Sequence, residues 1–229
     1  MNSTTLDPVW EQDIYAQGHH LNRYPFDCVV SFLFRWHPRD KARAELSVVE
    51  VGCGAGNNLW FAAREGFAVA GVDSSASAIA HARRRFGDEG LMGDFRVGVF
   101  SQLPWSDGSA DIVIDRCSLA CVGHESQRVA VAEIWRVLKP GGVFFCNGYS
   151  DRHASARAGR SLGDGRTADF AAGALAGVGA ICFSSREDLR RLFGASWEIL
   201  KLEHMSADDL TGEISTCHAE WRVVVRKPA

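Results

Sequence analysis

The chain has 229 residues, of which 46% are hydrophobic and 23% are charged. These values are ordinary for a globular protein, and they exclude disordered, coiled-coil and collagen-like classes. The length suits one α/β domain with a sizeable core. The 25 Lys and Arg against 28 Asp and Glu give a net charge of −3 without a long run of either sign. We therefore expect no nucleic acid as a partner.

The N-terminal residues and the cysteines indicate the cellular location that we expect for the protein. The first eight residues are polar and lack the basic and apolar regions of a secretory signal, and no stretch is apolar enough to cross a bilayer. The seven cysteines are scattered, without a Cys-x-x-Cys pair or a His–Cys cluster. We expect a cytoplasmic protein with reduced cysteines, no membrane association and no metal, as a monomer or a homodimer.

The first predicted elements are helical. Residues 9–37 carry aromatic and apolar side chains at roughly helical spacing, interrupted at Pro25 and Pro38, which predicts one or two helices. Strands and helices then alternate: strand 47–51, helix 57–65, strand 68–72, helix 76–86, strands 95–99 and 112–114, helix 125–138 and strand 143–147. This alternation predicts a mostly parallel sheet with helices on both faces.

The last third of the chain changes character. The segment 150–179 is rich in Gly, Ala and Arg without a clear period, which indicates an excursion from the fold. A helix at 185–193 follows, with Ser184 or Ser185 as its N-cap. Strands at 197–202 and 220–226 predict a terminal antiparallel pair.

A glycine-rich turn follows the first strand. It reads Glu50-x-Gly52-x-Gly54-x-Gly56 and runs directly into a helix, so a ligand can approach the backbone closely. The spacing differs from the Gly-x-Gly-x-x-Gly of dinucleotide enzymes, and an acid precedes it. The turn therefore favours a ligand with an amino-acid tail over a pyrophosphate, the alternative being a purely structural turn.

Asp73 ends the second strand, 21 residues after Gly52. In a doubly wound sheet its carboxylate lies beside the glycine turn, where it can accept hydrogen bonds from both hydroxyls of a ribose. The alternative is an Asp that caps the next helix.

These motifs, in order with Leu103-Pro104, Asp111-Ile112-Val113 and Leu138-Lys139-Pro140-Gly141-Gly142, resemble the class I S-adenosylmethionine-dependent methyltransferases. The resemblance implies a Rossmann-like, doubly wound, seven-stranded α/β sheet with its last strand antiparallel, and S-adenosyl-L-methionine as cofactor. It also implies that the glycine turn holds the methionine part and that Asp73 holds the ribose. The residues expected to bind the cofactor are Glu50, Gly52, Cys53, Gly54, Gly56, Asn58, Asp73, Ser74, Val99, Phe100, Asp115 and Arg116.

The adenine position departs from the family pattern. Similar enzymes often have Gly-Asp-x-x-x-Leu-Pro, but here Val99 stands where the acid would be. Asp94 precedes the third strand and is expected at the opposite edge of the sheet. We expect the backbone of Val99 and Phe100, with apolar packing, to hold the adenine.

Acceptor and catalytic residues are less defined by the sequence. Arg116 follows the fourth strand, where it can bind an anionic substrate, the cofactor carboxylate or a neighbouring acid. The expected catalytic residues are His19, His20, Tyr24, Asp115 and His153, because a hydroxyl acceptor benefits from a base. The expected substrate residues are Arg23, Arg116, Tyr149 and Arg152.

The sequence thus predicts a single methyltransferase domain over residues 1–229. Its expected parts are a helical lid at 1–46, a cofactor-binding core at 47–149, a substrate lid at 150–183 and a C-terminal helix with antiparallel strands at 184–229. The expected reaction is O- or N-methylation of a small molecule such as a natural-product or saccharide intermediate. The alternatives are a non-catalytic binding module and an NAD(P)-dependent oxidoreductase, the latter disfavoured by the absence of a Tyr-x-x-x-Lys pair.

Overall fold

The computed structural model describes residues 8–211 and 216–229. After a short π-helix at Trp10–Tyr15, the elements are α1 (Asp27–Trp36), β1 (Ser47–Val51), α2 (Asn57–Arg64), β2 (Ala68–Asp73), α3 (Ala76–Asp88), β3 (Asp94–Val97), β4 (Ala110–Arg116), α4 (His124–Val137), β5 (Leu138–Tyr149), β6 (Arg160–Ser161), β7 (Arg166–Ala168), β8 (Ile181–Cys182), α5 (Arg186–Phe193), β9 (Glu198–Asp209) and β10 (Thr216–Arg226). In this part of the chain, no helix is long and apolar enough to cross a membrane.

Seven strands form the central sheet in the order β3-β2-β1-β4-β5-β10-β9. The first five strands in this order are parallel, and β10 runs antiparallel to both β5 and β9. The predicted seven-stranded α/β sheet with an antiparallel last strand is therefore confirmed. Because parallel strands end at the same edge, the turns after β1, β2, β4 and β5 meet above the sheet.

Alternation along β1 assigns its side chains to two cores. Val49 and Val51 pack in the core on the α4 and α5 face, whereas Val48 packs in the core on the α1, α2 and α3 face. Successive residues of a strand point to opposite faces, so Glu50 shares the face of Val48. The Glu50 carboxylate therefore lies near the end of β1, on the side of the sheet that α2 covers.

Several predicted boundaries differ from the structure. β3 ends at Val97, two residues earlier than expected, so Val99 lies in the following loop. The segment 150–179 contains more order than its composition indicated, because β6, β7 and β8 form a small antiparallel sheet. Ser185 is the N-cap of α5 and makes a reciprocal capping box with Asp188.

The N-terminal segment divides into two parts with different environments. α1 belongs to the helical layer, since Val29, Phe32 and Leu33 are buried and Phe32 stacks on Phe145 of the sheet at 4.9 Å between ring centroids. Only the π-helix and the loop after it lie over the carboxyl edge of the sheet. Residues 1–7 of the expected lid lie outside the described residues.

Phe32→Ala tests the core assignment of α1. Removing a buried aromatic ring leaves a cavity against Phe145, and we expect the free energy of unfolding to fall by about 3–5 kcal/mol. Urea denaturation followed by circular dichroism measures this loss. Ser31→Ala, on the exposed face of the same helix, is the control and should change stability little. A loss below about 1 kcal/mol for Phe32→Ala would place α1 outside the cooperative core.

Candidate cofactor and acceptor site

A cavity of about 200 Å³ opens at the carboxyl edge of the parallel strands. One water needs only about 10–15 Å³, so the space suits an organic molecule. It is built by the N-terminal segment, the turn after β1 with the start of α2, the ends of β2, β4 and β5, the loop after β3 and the segment 174–181. The residues used below that line it are Trp10, Tyr15, His20, Glu50, Gly52, Cys53, Gly54, Asn58, Asp73, Ser74, Gly98, Phe100, Arg116, Cys117, Cys121, Tyr149, Leu175, Val178 and Ile181.

The turn after β1 requires glycine at two positions. Gly52 and Gly54 have φ values of +63° and +51°, in the left-handed region that side chains disfavour. A Cβ at Gly52 would overlap the Ser118 side chain, and a Cβ at Gly54 would overlap the Tyr15 hydroxyl. The chain therefore turns sharply beneath its neighbours and begins α2 at Asn57.

Glu50 is a buried carboxylate with an incomplete set of partners. Its Oε1 accepts a hydrogen bond from Asn58 Nδ2 at 2.7 Å, whereas its buried Oε2 has no partner among the described residues. Burial raises the pKa of Glu50 to about 8, against the lowering effect of the Asn58 hydrogen bond. A cationic group in the cavity would supply the missing partner and favour the ionised carboxylate.

Asp73 connects the glycine turn to the end of β2. Its Oδ2 accepts from the Gly54 amide at 2.8 Å, and its Oδ1 accepts from the Ser75 amide at 2.8 Å. Burial raises the pKa of Asp73, and these two amides oppose the shift. Each carboxylate oxygen retains a further lone pair, so the side chain can hold the turn and still face a ligand.

The region expected to hold adenine is partly as predicted. Phe100 lines the cavity, as do Ser74 and Gly98, whereas Val99 does not line it and is 37% exposed. Asp94 lies at the start of β3, where Arg96 and Trp105 donate to its carboxylate. The expectation that Asp94 stays away from the site therefore agrees with the structure.

Asp115 lies beneath the cavity and does not line it. It is fully buried, and its Oδ1 accepts from the amides of Ser118 and Leu119 at 2.9 and 3.0 Å. Burial raises its pKa to about 6, against the hydrogen bonds from the Ser118 side chain and these amides. The structure thus gives Asp115 contacts that shape the loop after β4, where the sequence indicated a residue in contact with ligand.

Arg116 lines the cavity beside Tyr149 and forms no ion pair among the described residues, although the carboxylates of Glu50 and Glu220 lie within electrostatic range of it. Its guanidinium lies over the Phe26 ring, 3.6 Å from the centroid, and its buried Nε has no hydrogen-bond acceptor. Within the described ranges it makes no ion pair, so the neighbouring acid considered from the sequence is not observed.

The π-helix covers the cavity and is attached at one point to α3. The Glu11 carboxylate accepts from the Ser77 amide at 3.2 Å, from Ser77 Oγ at 2.7 Å and from the Ser75 hydroxyl. Hydrogen bonds from Ser75 and Ser77 lower the pKa of Glu11. From the same helix, Trp10 and Tyr15 face into the cavity.

Tyr15 was missed by the sequence analysis. Its hydroxyl lies against Gly54, and burial raises the pKa of the phenol. The four-residue spacing between Glu11 and Tyr15 was the available signal, because it places both side chains on one face of a helix. Trp10 belongs to the helical segment that the sequence predicts as a lid, whereas Leu175, Val178 and Ile181 lie in a segment without periodicity.

Two expected residues of the N-terminal segment lie on the outer flank of the protein. Arg85 donates to the Arg23 carbonyl, and Tyr24, which is 68% exposed, packs edge-on against Trp60. Neither side chain lines the cavity, although Asn22 and Phe26 on either side of them do. His19 is also exposed outside it, whereas His20 lines the rim and contacts the Trp10 ring.

Three further expected residues are not brought into the cavity. His153 is buried behind Tyr149, with ring centroids 5.3 Å apart, and its Nε2 lies 3.3 Å from Nδ1 of His218. Arg152 is exposed, and Gly56 faces Ala82 and Phe95 in the packing of α3 and β3. Metal-binding clusters of three or more His, Cys, Asp or Glu were sought in residues 8–211 and 216–229, and none occurs there.

Comparison with known proteins gives a family for the central part of the chain. Residues 49–146 match the family model of a methyltransferase domain. A probable S-adenosylmethionine-dependent methyltransferase of Mycolicibacterium smegmatis is 35% identical over 97 residues, which cover 42% of this chain and 35% of that protein. A malonyl-acyl-carrier-protein O-methyltransferase of Pectobacterium atrosepticum is 33% identical over 103 residues, 44% of this chain and 38% of that protein.

A solved structure extends the comparison to the whole fold. A SAM-dependent methyltransferase from Methanosarcina mazei superposes with a TM-score of 0.68 at 19% identity, over 82% of this chain and 95% of that one. The aligned region spans little more than a third of the two curated relatives, so the match concerns the core. Residues 49–146 of the chain are therefore similar to a methyltransferase domain, and the chain shares the fold of a SAM-dependent methyltransferase. The similar proteins from Mycolicibacterium smegmatis and Methanosarcina mazei are both described as dependent on S-adenosylmethionine.

Glu50→Gln tests the electrostatic state of the cavity without any ligand. The pKa of Glu50 is about 8 in the folded protein and about 4.5 for an exposed carboxyl, so folding favours the protonated form. This contribution to stability is complete below pH 4.5 and is lost as the pH rises through 8. We expect the free energy of unfolding of the wild type to fall relative to Glu50→Gln between pH 5 and 8, by up to about 1.4 kcal/mol per pH unit.

The measurement is urea denaturation of both proteins at pH 5, 6, 7 and 8. Glutamine keeps an oxygen for Asn58, so the variant loses only the ionisable group. Glu65→Gln, a substitution at a partly exposed carboxylate, is the control. A constant difference between the wild type and Glu50→Gln across this range would contradict a buried, uncompensated carboxylate.

Proposed function

We propose that this chain transfers the methyl group of S-adenosylmethionine to a small-molecule acceptor. The unpaired Oε2 of buried Glu50, lining a cavity over the glycine turn, carries the proposal because it suits the aminium group of the methionine tail. Asp73 is then in place for the ribose hydroxyls. Ser74, Gly98 and Phe100 would contact the adenosine, and they replace Val99 in that role.

The proposed reaction is a direct displacement at the methyl carbon. When bound by Glu50 and Asp73, S-adenosylmethionine would supply its methyl group to a lone pair of an acceptor oxygen or nitrogen, and the electron pair of the broken carbon–sulfur bond would return to sulfur. The acceptor proton leaves to water or to His20, the histidine on the cavity rim. Alignment of the reactants and exclusion of water by the π-helix provide the rate enhancement, without a covalent enzyme intermediate.

The cavity extends past the cofactor contacts to Tyr149 and the segment 174–181. This further space favours an enzyme with an acceptor over a module that binds the cofactor alone. A nicotinamide oxidoreductase is disfavoured by the Gly-x-Gly-x-Gly spacing of the turn, which differs from the pattern of dinucleotide enzymes. Calorimetric titration with S-adenosylhomocysteine and with NADH separates these classes, since a methyltransferase binds the first and a degenerate fold binds neither.

Asp73→Ala tests the cofactor site directly. We expect the affinity for S-adenosylhomocysteine to fall about 30-fold, or about 2 kcal/mol, because ribose hydroxyls lose a charged acceptor and the Gly54 amide loses its own. Isothermal titration calorimetry measures the affinity. Asp88→Ala, at the exposed end of α3, is the control and should bind as the wild type does. An unchanged affinity for Asp73→Ala would remove the ribose role.

Glu11→Gln tests the proposal that the π-helix is a lid. A neutral amide should weaken docking to the Ser75 and Ser77 hydroxyls and amides, so that residues 8–24 open more often. We expect faster proteolysis in this range than in the wild type, and protection in both proteins when S-adenosylhomocysteine binds. Asp13→Asn, an exposed acid of the same helix, is the control. Identical cleavage with and without ligand would return this segment to a structural role.

A further inference from the structure

The part of the cavity beyond the cofactor contacts is an apolar chamber. Its walls are Trp10, Cys121, Leu175, Val178 and Ile181, the last three only 4%, 9% and 2% exposed. Phe170 and Phe183 pack behind them in the same cluster. These walls offer no side-chain hydroxyl, amide or carboxylate, so a polyhydroxylated acceptor would lose hydrogen bonds to water on entering. The chamber therefore favours an apolar or aromatic body over a saccharide.

One permanent charge faces this chamber. Among the described residues that line the cavity, Arg116 is the only Lys or Arg. Its guanidinium lies over the Phe26 ring, and a guanidinium in this arrangement can present the N–H groups at its edge to a planar anion. Burying a guanidinium without an anionic partner is costly, and a carboxylate matches its donor geometry with two parallel hydrogen bonds.

Tyr149 lies between the Arg116 guanidinium and the apolar walls of the chamber. The Tyr149 ring packs against the chamber cluster, and burial raises the pKa of its phenol while the nearby Arg116 opposes that shift. Arg116 ends β4, directly beside β5, which carries Tyr149. The guanidinium therefore lies where the chamber meets the strand ends.

From these features we propose that the acceptor is an apolar or aromatic molecule that carries a carboxylate. Its apolar body occupies the chamber, and its carboxylate binds Arg116. This inference rests on the proposed methyltransferase function and names the chemical class of its substrate. The methionine carboxylate of the cofactor has the same chemistry, and the experiment below distinguishes the two sources.

The first test compares three probes on the wild-type protein saturated with S-adenosylhomocysteine. The probes are 2-naphthoate, its uncharged analogue 2-naphthamide, and glucuronate, which has a carboxylate without an apolar body. We expect 2-naphthoate to bind at least about 10-fold more tightly than either of the others, as measured by calorimetry. Equal affinity for 2-naphthoate and 2-naphthamide, or no binding of 2-naphthoate, would overturn the proposal.

The second test assigns the carboxylate to its residue. In Arg116→Gln the preference for 2-naphthoate over 2-naphthamide should disappear while the affinity for S-adenosylhomocysteine is kept. Val178→Phe should weaken both naphthalene probes by narrowing the chamber, again with S-adenosylhomocysteine unaffected. Arg157→Gln, an exposed arginine of the segment 150–183, is the matched control and should bind all ligands as the wild type does.

A third arm identifies the alternative source of the carboxylate. If Arg116→Gln weakens S-adenosylhomocysteine about 10-fold or more but leaves 5′-methylthioadenosine, which lacks the amino-acid tail, unchanged, then Arg116 binds the cofactor and the acceptor proposal is overturned. A wild-type protein that binds no S-adenosylhomocysteine would instead refute the proposed function itself. The melting temperature of each variant shows that it is folded, and the probe comparison on the wild type needs no variant.

Discussion

The hydrogen bond from the Gly54 amide to Asp73 is the contact on which the site depends. It joins the turn after β1 to the end of β2, and it forms only because Gly52 and Gly54 adopt left-handed backbone conformations. With the turn held in this way, α2 begins close to the strand and Asn58 reaches Glu50. The floor of the cavity and the orientation of the buried Glu50 carboxylate thus follow from the backbone conformation of the turn at residues 52–56.

Two side chains of opposite charge type, Glu50 and Arg116, line the same cavity and do not form an ion pair with each other. Glu50 has an unpaired Oε2 and Arg116 an unpaired Nε, and neither atom has a partner among the described residues. Desolvating unpaired charged groups opposes folding, so both residues weaken the ligand-free protein. A cationic group at Glu50 and an anionic group at Arg116, supplied by bound ligands, would offset this cost.

The N-terminal residues form two elements with different contacts: α1, which packs in the core, and the π-helix, which lies over the cavity. α1 completes the helical layer through Phe32 and Leu33, whereas the π-helix contributes little to the core beyond Ile14. The π-helix is held instead by the hydrogen bonds of Glu11 to the start of α3, and it places Trp10 and Tyr15 over the cavity. Under the proposed role as a cover, this helix would separate from the domain more readily than α1, which is held in the core.

The sequence by itself determined the order of the strands and helices of the central sheet, the glycine turn, the position of Asp73 beside that turn and the antiparallel β10. These features follow from local spacing, and parallel strand order then brings their ends together. Only the tertiary structure decided that Asp115 lies below the cavity, that Arg23 and Tyr24 lie outside it, and that Tyr15, Leu175, Val178 and Ile181 line it. The physical reason is that these positions depend on how irregular segments far apart in the chain pack together, and such packing leaves no periodic pattern in the sequence.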